Sequence, residues 1–377
     1  MSIEGVVAPG FERVREAFAA NFEREGDYQE TGAALCAYRY GKLVVDLWAG
    51  FADAARTRPW TRDTLINVWS ATKGVTATAV AVLVDRGLIA YEDEVAKVWP
   101  EFALAGKSKV TVTQLLSHQA GLPGFAEPTA IDDQLDFAAC VAKLERQAPV
   151  WTPGEATSYH AMTYGWLAGE VIARVTGRSP GAFIAEAVAG PLSADIFVGL
   201  PESEEPRVAD ILAPKRQAEM PPLTPAALMA VTNPVQSPTA PNDRAWRGAE
   251  IPSANGQASA LGLARLYAAL AGEGELEGVR ILSAEGVRRM TRPATSHGRI
   301  DQFLGFTDAW AMGVALNRPG IYGPNANTFG HSGWGGSFGC ADPAAGVAIG
   351  YVCNQMGPEL VGDPRTAGLC NAILEAA

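Results

Sequence analysis

Ser70-Ala71-Thr72-Lys73 places a serine and a lysine three residues apart, where a polar segment passes into an apolar one that runs to about residue 86. In a helix, residues i and i+3 lie on one face, so the Lys73 amine can reach the Ser70 hydroxyl. A serine is a weak nucleophile until a neighbouring base takes its proton, and a lysine can act as that base. The spacing therefore indicates a nucleophilic serine or, more ordinarily, a helix-capping serine followed by a solvated lysine.

Length and charge limit the possible classes of protein. The chain has 377 residues, so we expect one large two-lobed unit or two domains. Its net charge of −11, without a long basic cluster, argues against nucleic acid or an anionic membrane as the main partner. The longest apolar stretch, residues 75–84, is too short to span a bilayer, and no secretory leader pattern follows Met1.

Cysteine and histidine spacing gives no sign of a metal or redox site. The five cysteines are scattered and lack metal-ligand or redox spacing, which favours buried thiols in a reducing compartment. The four histidines lack the spacing of a catalytic zinc site. We therefore expect a cytoplasmic enzyme with no metal and no cofactor.

Apolar periodicity predicts strands near both ends of the chain and helices between them. A helix over residues 10–25 precedes a β-hairpin over 33–48, and short glycine-punctuated strands return over 310–352 before a final helix. The pattern predicts an α+β fold in which both termini build one antiparallel sheet. We expect one domain from residues 1–75 and 300–377 and a mostly helical domain from residues 76–299, with the active site in the cleft between them. Residues 201–243 show no clear periodicity and are interpreted as an extended surface excursion.

Tyr159 and a glycine-rich segment near the C-terminus add two further elements. Tyr159 follows a Pro-Gly turn at residues 153–154 and could present its phenol to a cleft, although a tyrosine with a backbone partner is commoner. It could act as a base only if nearby positive charge lowers its pKa. The segment 329–337 is rich in glycine, which indicates either a close approach to the backbone or a β-bulge.

These three elements, in this order, resemble the penicillin-recognising serine hydrolases. That superfamily includes class C β-lactamases, D-Ala-D-Ala carboxypeptidases and family VIII carboxylesterases. The resemblance covers about residues 30–356 and is supported by three further stretches, which are Leu115-Leu116-Ser117-His118-Gln119-Ala120-Gly121-Leu122-Pro123, Trp151-x-Pro153-Gly154, and the closing strand over residues 346–354. It implies a β-lactamase/transpeptidase-like fold.

Two departures from the β-lactamase and carboxypeptidase pattern favour the family VIII carboxylesterases. Those enzymes usually carry asparagine two residues after the tyrosine, where this chain has Ala161. They usually carry Lys-Thr-Gly on the late strand, where this chain has His331-Ser332-Gly333. That lysine helps to bind the carboxylate of β-lactams and peptides, so its replacement favours an esterase.

The resemblance implies a role for each matching residue. Ser70 would be the nucleophile, Lys73 would relay its proton, and Tyr159, biased toward phenolate, would take that proton and return it to the leaving alcohol. The N–H groups of Ser70 and Trp334 would form the oxyanion hole. For the substrate pocket we expect a contribution from seven residues: His331, Ser332, Gly333, Trp334, His160, Phe125 and Trp310.

The predicted function is a serine carboxylesterase that hydrolyses small to medium acyl esters through an acyl-serine. The alternatives are an acyltransferase of the same fold, a β-lactam or D-amino-acid peptide hydrolase and, least favoured, a non-catalytic binding protein. Gly335-Gly336-Ser337-Phe338-Gly339 matches a nucleophile-elbow motif, but a strand rather than a helix is expected after Ser337. Oligomeric state and natural substrate cannot be read from the sequence.

Overall fold

The computed structural model describes residues 2–216, 223–296, 298–307, 310–317 and 320–377. Within these ranges twelve strands are present: β1 (Ile3–Val7), β2 (Gly32–Arg39), β3 (Lys42–Gly50), β4 (Ile66–Asn67), β5 (Ile196–Phe197), β6 (Gln257–Ala258), β7 (Glu275–Leu276), β8 (Val279–Arg280), β9 (Ala315–Leu316), β10 (Phe329–Ser332), β11 (Phe338–Asp342) and β12 (Val347–Cys353).

The helices of the same ranges are α1 (Glu12–Glu23), α2 (Thr72–Asp85), α3 (Val112–Leu116), α4 (Phe137–Arg146), α5 (Thr163–Thr176), α6 (Pro180–Ile184), α7 (Pro225–Thr232), α8 (Arg244–Gly248), α9 (Ala260–Ala271), α10 (Ala284–Thr291) and α11 (Pro364–Ala376). Short 3₁₀ turns join several of them, and α6 continues into a π-helical turn at Ala185–Ala189. No helix of the described residues is both long enough and apolar enough to cross a membrane.

The main sheet joins the two ends of the chain. Its order is β1-β3-β2-β12-β11-β10-β9, and all neighbouring strands are antiparallel. The N-terminal and C-terminal strands meet where β2 pairs with β12, with Leu35 opposite Tyr351. This architecture confirms the predicted α+β fold with a sheet built from both termini.

Strand β2 shows why the sheet needs a helical layer on each face. Alternate side chains, Leu35 among them, pack into the core on the side of α1 and α11, whereas Cys36 and Tyr38 pack into the core on the other side. Because successive side chains of a strand point to opposite faces, a strand buried on both sides has an unbroken apolar sequence.

Helix α9 lies directly on the sheet, although the predicted domain division assigned it to the helical domain. Gly350 of β12 makes this contact possible, because a Cβ at that position would lie 2.3 Å from the Ala260 carbonyl oxygen. The sheet therefore draws one of its covering helices from the inserted segment, while the limits of the two domains stay a prediction.

Two parts of the sequence-based assignment were wrong. Residues 201–243 include helix α7 and short 3₁₀ turns, so they are not simply an extended excursion. The helix was not predicted because Pro225 stands at its start in a proline-rich segment. Proline is nevertheless favoured in the first turn of a helix, and the Thr224 side chain caps this one. The N-terminal strand β1 was also missed, because Gly5 interrupts its five residues.

Replacing Gly350 with alanine is expected to destabilise the protein by about 1–3 kcal/mol, because the new methyl group collides with main-chain atoms of α9. Gly368→Ala is a matched control. Gly368 lies on an exposed position of α11 with no atom within 4 Å of an added Cβ, so alanine should stabilise the helix by about 0.5–1 kcal/mol. Urea unfolding of both variants measures the difference, and equal midpoints would contradict the packing account.

Candidate active site

Ser70 lies in a strained connection between β4 and α2. It occupies a 3₁₀ turn over Trp69–Ala71, and Trp69 has a φ of +45°, which a tryptophan rarely adopts. The Trp69 ring is held between Trp246 and Trp334, with centroid distances of 5.6 and 5.2 Å. This packing offsets the backbone strain and fixes the direction of the next residue, Ser70.

Lys73 stands one turn into the helical segment with no exposed surface. Its nitrogen lies 3.0 Å from Ser70 Oγ and donates hydrogen bonds to the Ala161 carbonyl oxygen at 2.7 Å and to the Ser253 carbonyl oxygen at 2.9 Å. Among the described residues no carboxylate pairs with it, and burial holds the pKa of Lys73 well below its usual range. Burial therefore makes it easier for the Lys73 ammonium to lose a proton next to the serine.

Tyr159 lies on the other side of Ser70 and is almost fully buried. Burial raises the pKa of its phenol, a hydrogen bond with the Ser70 side chain lowers it, and the Asp301 charge raises it. Lys73 Nζ lies 4.7 Å from the centre of the tyrosine ring. Burial outweighs the other effects, so the neutral phenol is favoured, and the prediction that Tyr159 is biased toward phenolate is not supported.

Asp301 holds Tyr159 and Trp310 together, a role that the sequence did not reveal. Its carboxylate accepts hydrogen bonds from the Tyr159 main-chain N–H at 3.1 Å and from the Trp310 indole N–H at 3.0 Å. The two rings stack with an interplanar angle of 4° and centroids 5.3 Å apart. A single aspartate in a loop forms no sequence motif, so its role can be seen only from its contacts in the folded protein.

The segment after β10 approaches the nucleophile at Gly333. A Cβ there would lie 2.1 Å from the Val68 carbonyl oxygen, so only glycine permits this approach. Gly336 donates its N–H to the Gly333 carbonyl oxygen at 3.3 Å, which closes a turn with Trp334 second and Gly335 third. The φ of Gly335 is +94°, as the third position of a type II turn requires.

This turn leaves the Trp334 main-chain N–H without a partner. Neither that N–H nor the one of Ser70 donates a hydrogen bond to any other residue in the part of the chain that the structure describes. Main-chain N–H groups without partners are uncommon inside proteins. Two of them on adjoining segments are suited to a ligand oxygen that carries negative charge.

A narrow cleft opens at Ser70. Its polar wall is formed by the reactive side chains and their neighbours, and most of the remaining wall is apolar. The residues that line it are Ser70, Tyr159, Leu304, Phe306, Trp310, Ala315, Leu316, Ile321, Tyr322, His331, Ser332, Trp334, Leu360 and Val361. Of the predicted pocket residues, His331, Ser332, Trp334 and Trp310 therefore line the cleft, and Gly333 is not among the lining residues.

Phe125 and His160 do not line this cleft, so their assignment to the pocket is corrected. Phe125 packs against Trp166 in the core, with ring centroids 5.3 Å apart. His160 is fully buried, where its Nε2 accepts from the Leu122 N–H and its Nδ1 lies 2.7 Å from the Ser158 carbonyl oxygen. Both residues were assigned to the pocket because they lie near the motifs in sequence, but proximity in sequence does not determine where a side chain points.

Ser337 and His118 also make contacts that support the fold. Strand β11 follows Ser337, as expected, and the serine hydroxyl accepts a hydrogen bond from the Cys353 N–H at 3.2 Å. His118 lies fully buried beneath the reactive tyrosine, and its Nδ1 accepts from the His160 main-chain N–H at 3.1 Å. Among the described residues, no cluster of three histidine, cysteine, aspartate or glutamate side chains could hold a metal ion.

The buried histidines predict loss of stability in mild acid. Burial lowers the pKa of His118 well below 6.5, that of His160 to about 4 and that of His331 to about 3. Below pH 6.5 the unfolded chain therefore binds more protons than the folded chain, so stability falls as pH drops. Glu30 opposes this trend, because burial raises its pKa to about 7.

Between pH 6.5 and 4.5 the three histidines lower the stability of the fold and the one carboxyl group raises it, so the net effect is a loss of stability. Each unit of pKa shift that is titrated within this window corresponds to about 1.4 kcal/mol. Urea unfolding of the wild type and of His331→Leu, at half-unit steps of pH, measures the loss. The variant should show a shallower dependence on pH. A wild-type midpoint that stays constant over this window would contradict the assignment of neutral buried histidines.

The fold and the site together define a serine hydrolase of the β-lactamase type. The family model described as Beta-lactamase matches residues 16–369, and the chain belongs to this family. A curated relative from Mycobacterium tuberculosis, named Esterase/beta-lactamase LipL, is 37% identical over 375 residues, which cover 95% of this chain and 84% of that protein.

Two solved structures match over the whole length of both chains. A family VIII carboxylesterase is 48% identical with a TM-score of 0.94. A penicillin-binding protein homologue from Caulobacter crescentus is 44% identical with the same TM-score. These relatives confirm the predicted superfamily and its β-lactamase/transpeptidase-like fold.

Proposed function

We propose that this protein is a serine carboxylesterase that hydrolyses small to medium acyl esters through an acyl-serine intermediate. The observation that carries the proposal is the buried Lys73 amine, which lies 3.0 Å from Ser70 Oγ and has no carboxylate partner in the described part of the chain. The likeness to a family VIII carboxylesterase and to an esterase/β-lactamase supports the same class of reaction.

In this proposal Lys73 is the base that activates the nucleophile. A neutral amine has two N–H donors and one lone pair. The carbonyl oxygens of Ala161 and Ser253 take the two donors, which leaves the lone pair for the Ser70 hydroxyl proton. Where related enzymes usually carry an asparagine side chain, this chain uses the main-chain oxygen of Ala161 to orient the lysine.

The reaction then runs in two steps. Ser70 Oγ bonds to the ester carbonyl carbon while its proton passes to Lys73. When the tetrahedral intermediate collapses, the carbon–oxygen bond to the alcohol breaks, the Tyr159 phenol protonates the leaving oxygen, and the Lys73 ammonium restores the phenol proton. Water repeats the sequence on the acyl-serine, which releases the acid and regenerates Ser70.

The unpaired N–H groups of Ser70 and Trp334 would receive the negative charge of each tetrahedral intermediate. Such donors act because they already point at the position where charge develops, so little reorganisation is needed. Losing one donor of this kind costs on the order of 10²-fold in rate or more. The close approach of Gly333 to Val68 brings the two segments together.

The walls of the cleft favour a neutral, apolar ester. Among the residues that the structure describes, no lysine or arginine side chain lines the cleft, and burial keeps the His331 pKa at about 3, so this residue stays uncharged near neutral pH. A carboxylate-bearing β-lactam or peptide would therefore lack a counter-ion at the position where related enzymes usually carry lysine. This argues for the esterase over the β-lactam or D-peptide hydrolase and leaves transfer to an acceptor alcohol as the nearest alternative.

We also propose that the protein acts on small molecules in the cytoplasm. Its five cysteines are all buried free thiols, which is usual in a reducing compartment.

Ser70→Ala should abolish hydrolysis of p-nitrophenyl acetate and butyrate, because the acyl-serine can no longer form. Ser337→Ala is the matched control, since this second serine is buried, does not line the cleft and accepts a hydrogen bond from the Cys353 N–H. Its turnover should stay near that of the wild type. Activity that survives in Ser70→Ala, or is lost only in Ser337→Ala, would refute the proposed nucleophile.

Lys73→Arg should lose at least about 10²-fold in kcat, because a guanidinium stays protonated and cannot accept the serine proton. In the wild type, activity should rise with pH through the depressed pKa of Lys73 and be fully developed well below pH 10.5. The pH dependence of kcat/KM for p-nitrophenyl butyrate measures both expectations. A wild-type profile that climbs only near pH 10 would show that the lysine is charged at neutral pH.

A further inference from the structure

We propose that Arg365, at the start of helix α11, is a positioning residue that fixes the direction of the Trp334 N–H in the oxyanion hole. The inference rests on the proposed esterase function. Arg365 does not line the cleft, and its side chain has no exposed surface, so it would act through the turn over residues 333–336.

All five N–H groups of the Arg365 guanidinium have partners. Nε donates to Asp363 at 3.0 Å, Nη1 donates to Glu30 and to the Gln355 carbonyl oxygen, both at 2.9 Å, and Nη2 donates to Asp363 at 2.6 Å and to the Gly335 carbonyl oxygen at 2.7 Å. A planar group with every donor in use has one allowed orientation. Its bond to Gly335 therefore comes from a fixed point.

Gly335 is held from several sides. Its carbonyl oxygen also accepts from the Gly357 N–H at 2.9 Å, and its own N–H donates to the Glu359 carbonyl oxygen at 3.3 Å. Because Gly335 follows Trp334, these bonds set the plane of the peptide next to the tryptophan. A turn so restrained can keep the Trp334 N–H free and directed toward the cleft.

Thr366, the next residue of α11, adds a second contact to the same turn. Its hydroxyl donates to the Gly336 carbonyl oxygen at 3.1 Å. Gly336 has a φ of +121°, and a Cβ there would lie 2.7 Å from Arg365 Nη2. The turn thus approaches the arginine as closely as a glycine backbone permits.

Stabilisation of the fold is by itself a weak explanation for the buried charged cluster of Arg365, Asp363 and Glu30. Desolvation of buried charges offsets much of their mutual attraction, and well-packed apolar residues often stabilise a fold as well. What apolar residues cannot supply is a directed hydrogen bond to a particular carbonyl oxygen. The position of that oxygen, one residue from the oxyanion donor, indicates that the cluster serves the geometry of the site.

The test compares Thr366→Val, Arg365→Gln and Arg365→Lys with the wild type on p-nitrophenyl butyrate, each assayed well below its own unfolding temperature. Thr366→Val keeps the shape of the side chain and should fold normally. We expect kcat to fall roughly tenfold in Thr366→Val and about 10²-fold in Arg365→Gln with KM nearly unchanged, because misplaced catalytic groups slow the chemical step. Binding of phenylboronic acid, a tetrahedral-adduct former, should weaken in parallel.

Arg365→Lys and Lys107→Met separate positioning from stability. Arg365→Lys keeps the charge beside Glu30, so its stability should exceed that of Arg365→Gln while kcat stays low. Lys107 is also a buried cation, and it donates to the main-chain oxygens of Leu104, Glu145 and Gln147, away from the cleft. Lys107→Met should lower the unfolding temperature and leave kcat unchanged.

Two results would overturn the inference alone: an active wild type with unchanged kcat in Thr366→Val and Arg365→Gln, or a kcat that recovers in Arg365→Lys together with stability. A wild type that hydrolyses no activated ester, or an active Ser70→Ala, would overturn the proposed function and this inference with it.

Discussion

The chemistry of this site depends on a buried lysine amine that has no negative partner among the residues the structure describes. Removing a lone ammonium from water costs more than the three hydrogen bonds to Lys73 return, so the pKa of the amine falls and its neutral form becomes available. A nearby carboxylate would reverse this effect. Uncharged aromatic rings surround the lysine instead, those of Tyr159 and Tyr164 among them.

The fold brings together three segments that lie far apart in the chain. Lys73 comes from α2, Tyr159 from the loop before α5, and Trp334 from the turn after β10, a strand of the sheet that both termini build. Asp301 fixes the tyrosine through its main-chain N–H, and the same carboxylate orients Trp310. Each reactive group is thus held by residues outside the cleft.

Much of the fold and part of the site could be predicted, because local patterns carry them. The hairpin of β2 and β3 and the helix after Ser70 are apolar segments bounded by glycine at a turn or a helix end, and residue type and spacing marked Ser70 and Lys73 without any structure. Contacts between distant segments left no such pattern. Arg365 follows Gly335 by 30 residues, Asp301 is a lone acid in a loop, and Phe125 was assigned to a pocket wall that depends on side-chain direction.

The proposed mechanism requires Lys73 to be uncharged near neutral pH. The direct measurement of this charge state is a titration of the chain labelled with ¹³C at lysine Cε, followed by NMR, with Lys73→Arg to assign the signal. The account predicts a Lys73 signal that titrates well below the usual lysine pKa of about 10.4. A Lys73 signal that remains protonated up to pH 9 would contradict the account, because the amine could then not accept the Ser70 proton.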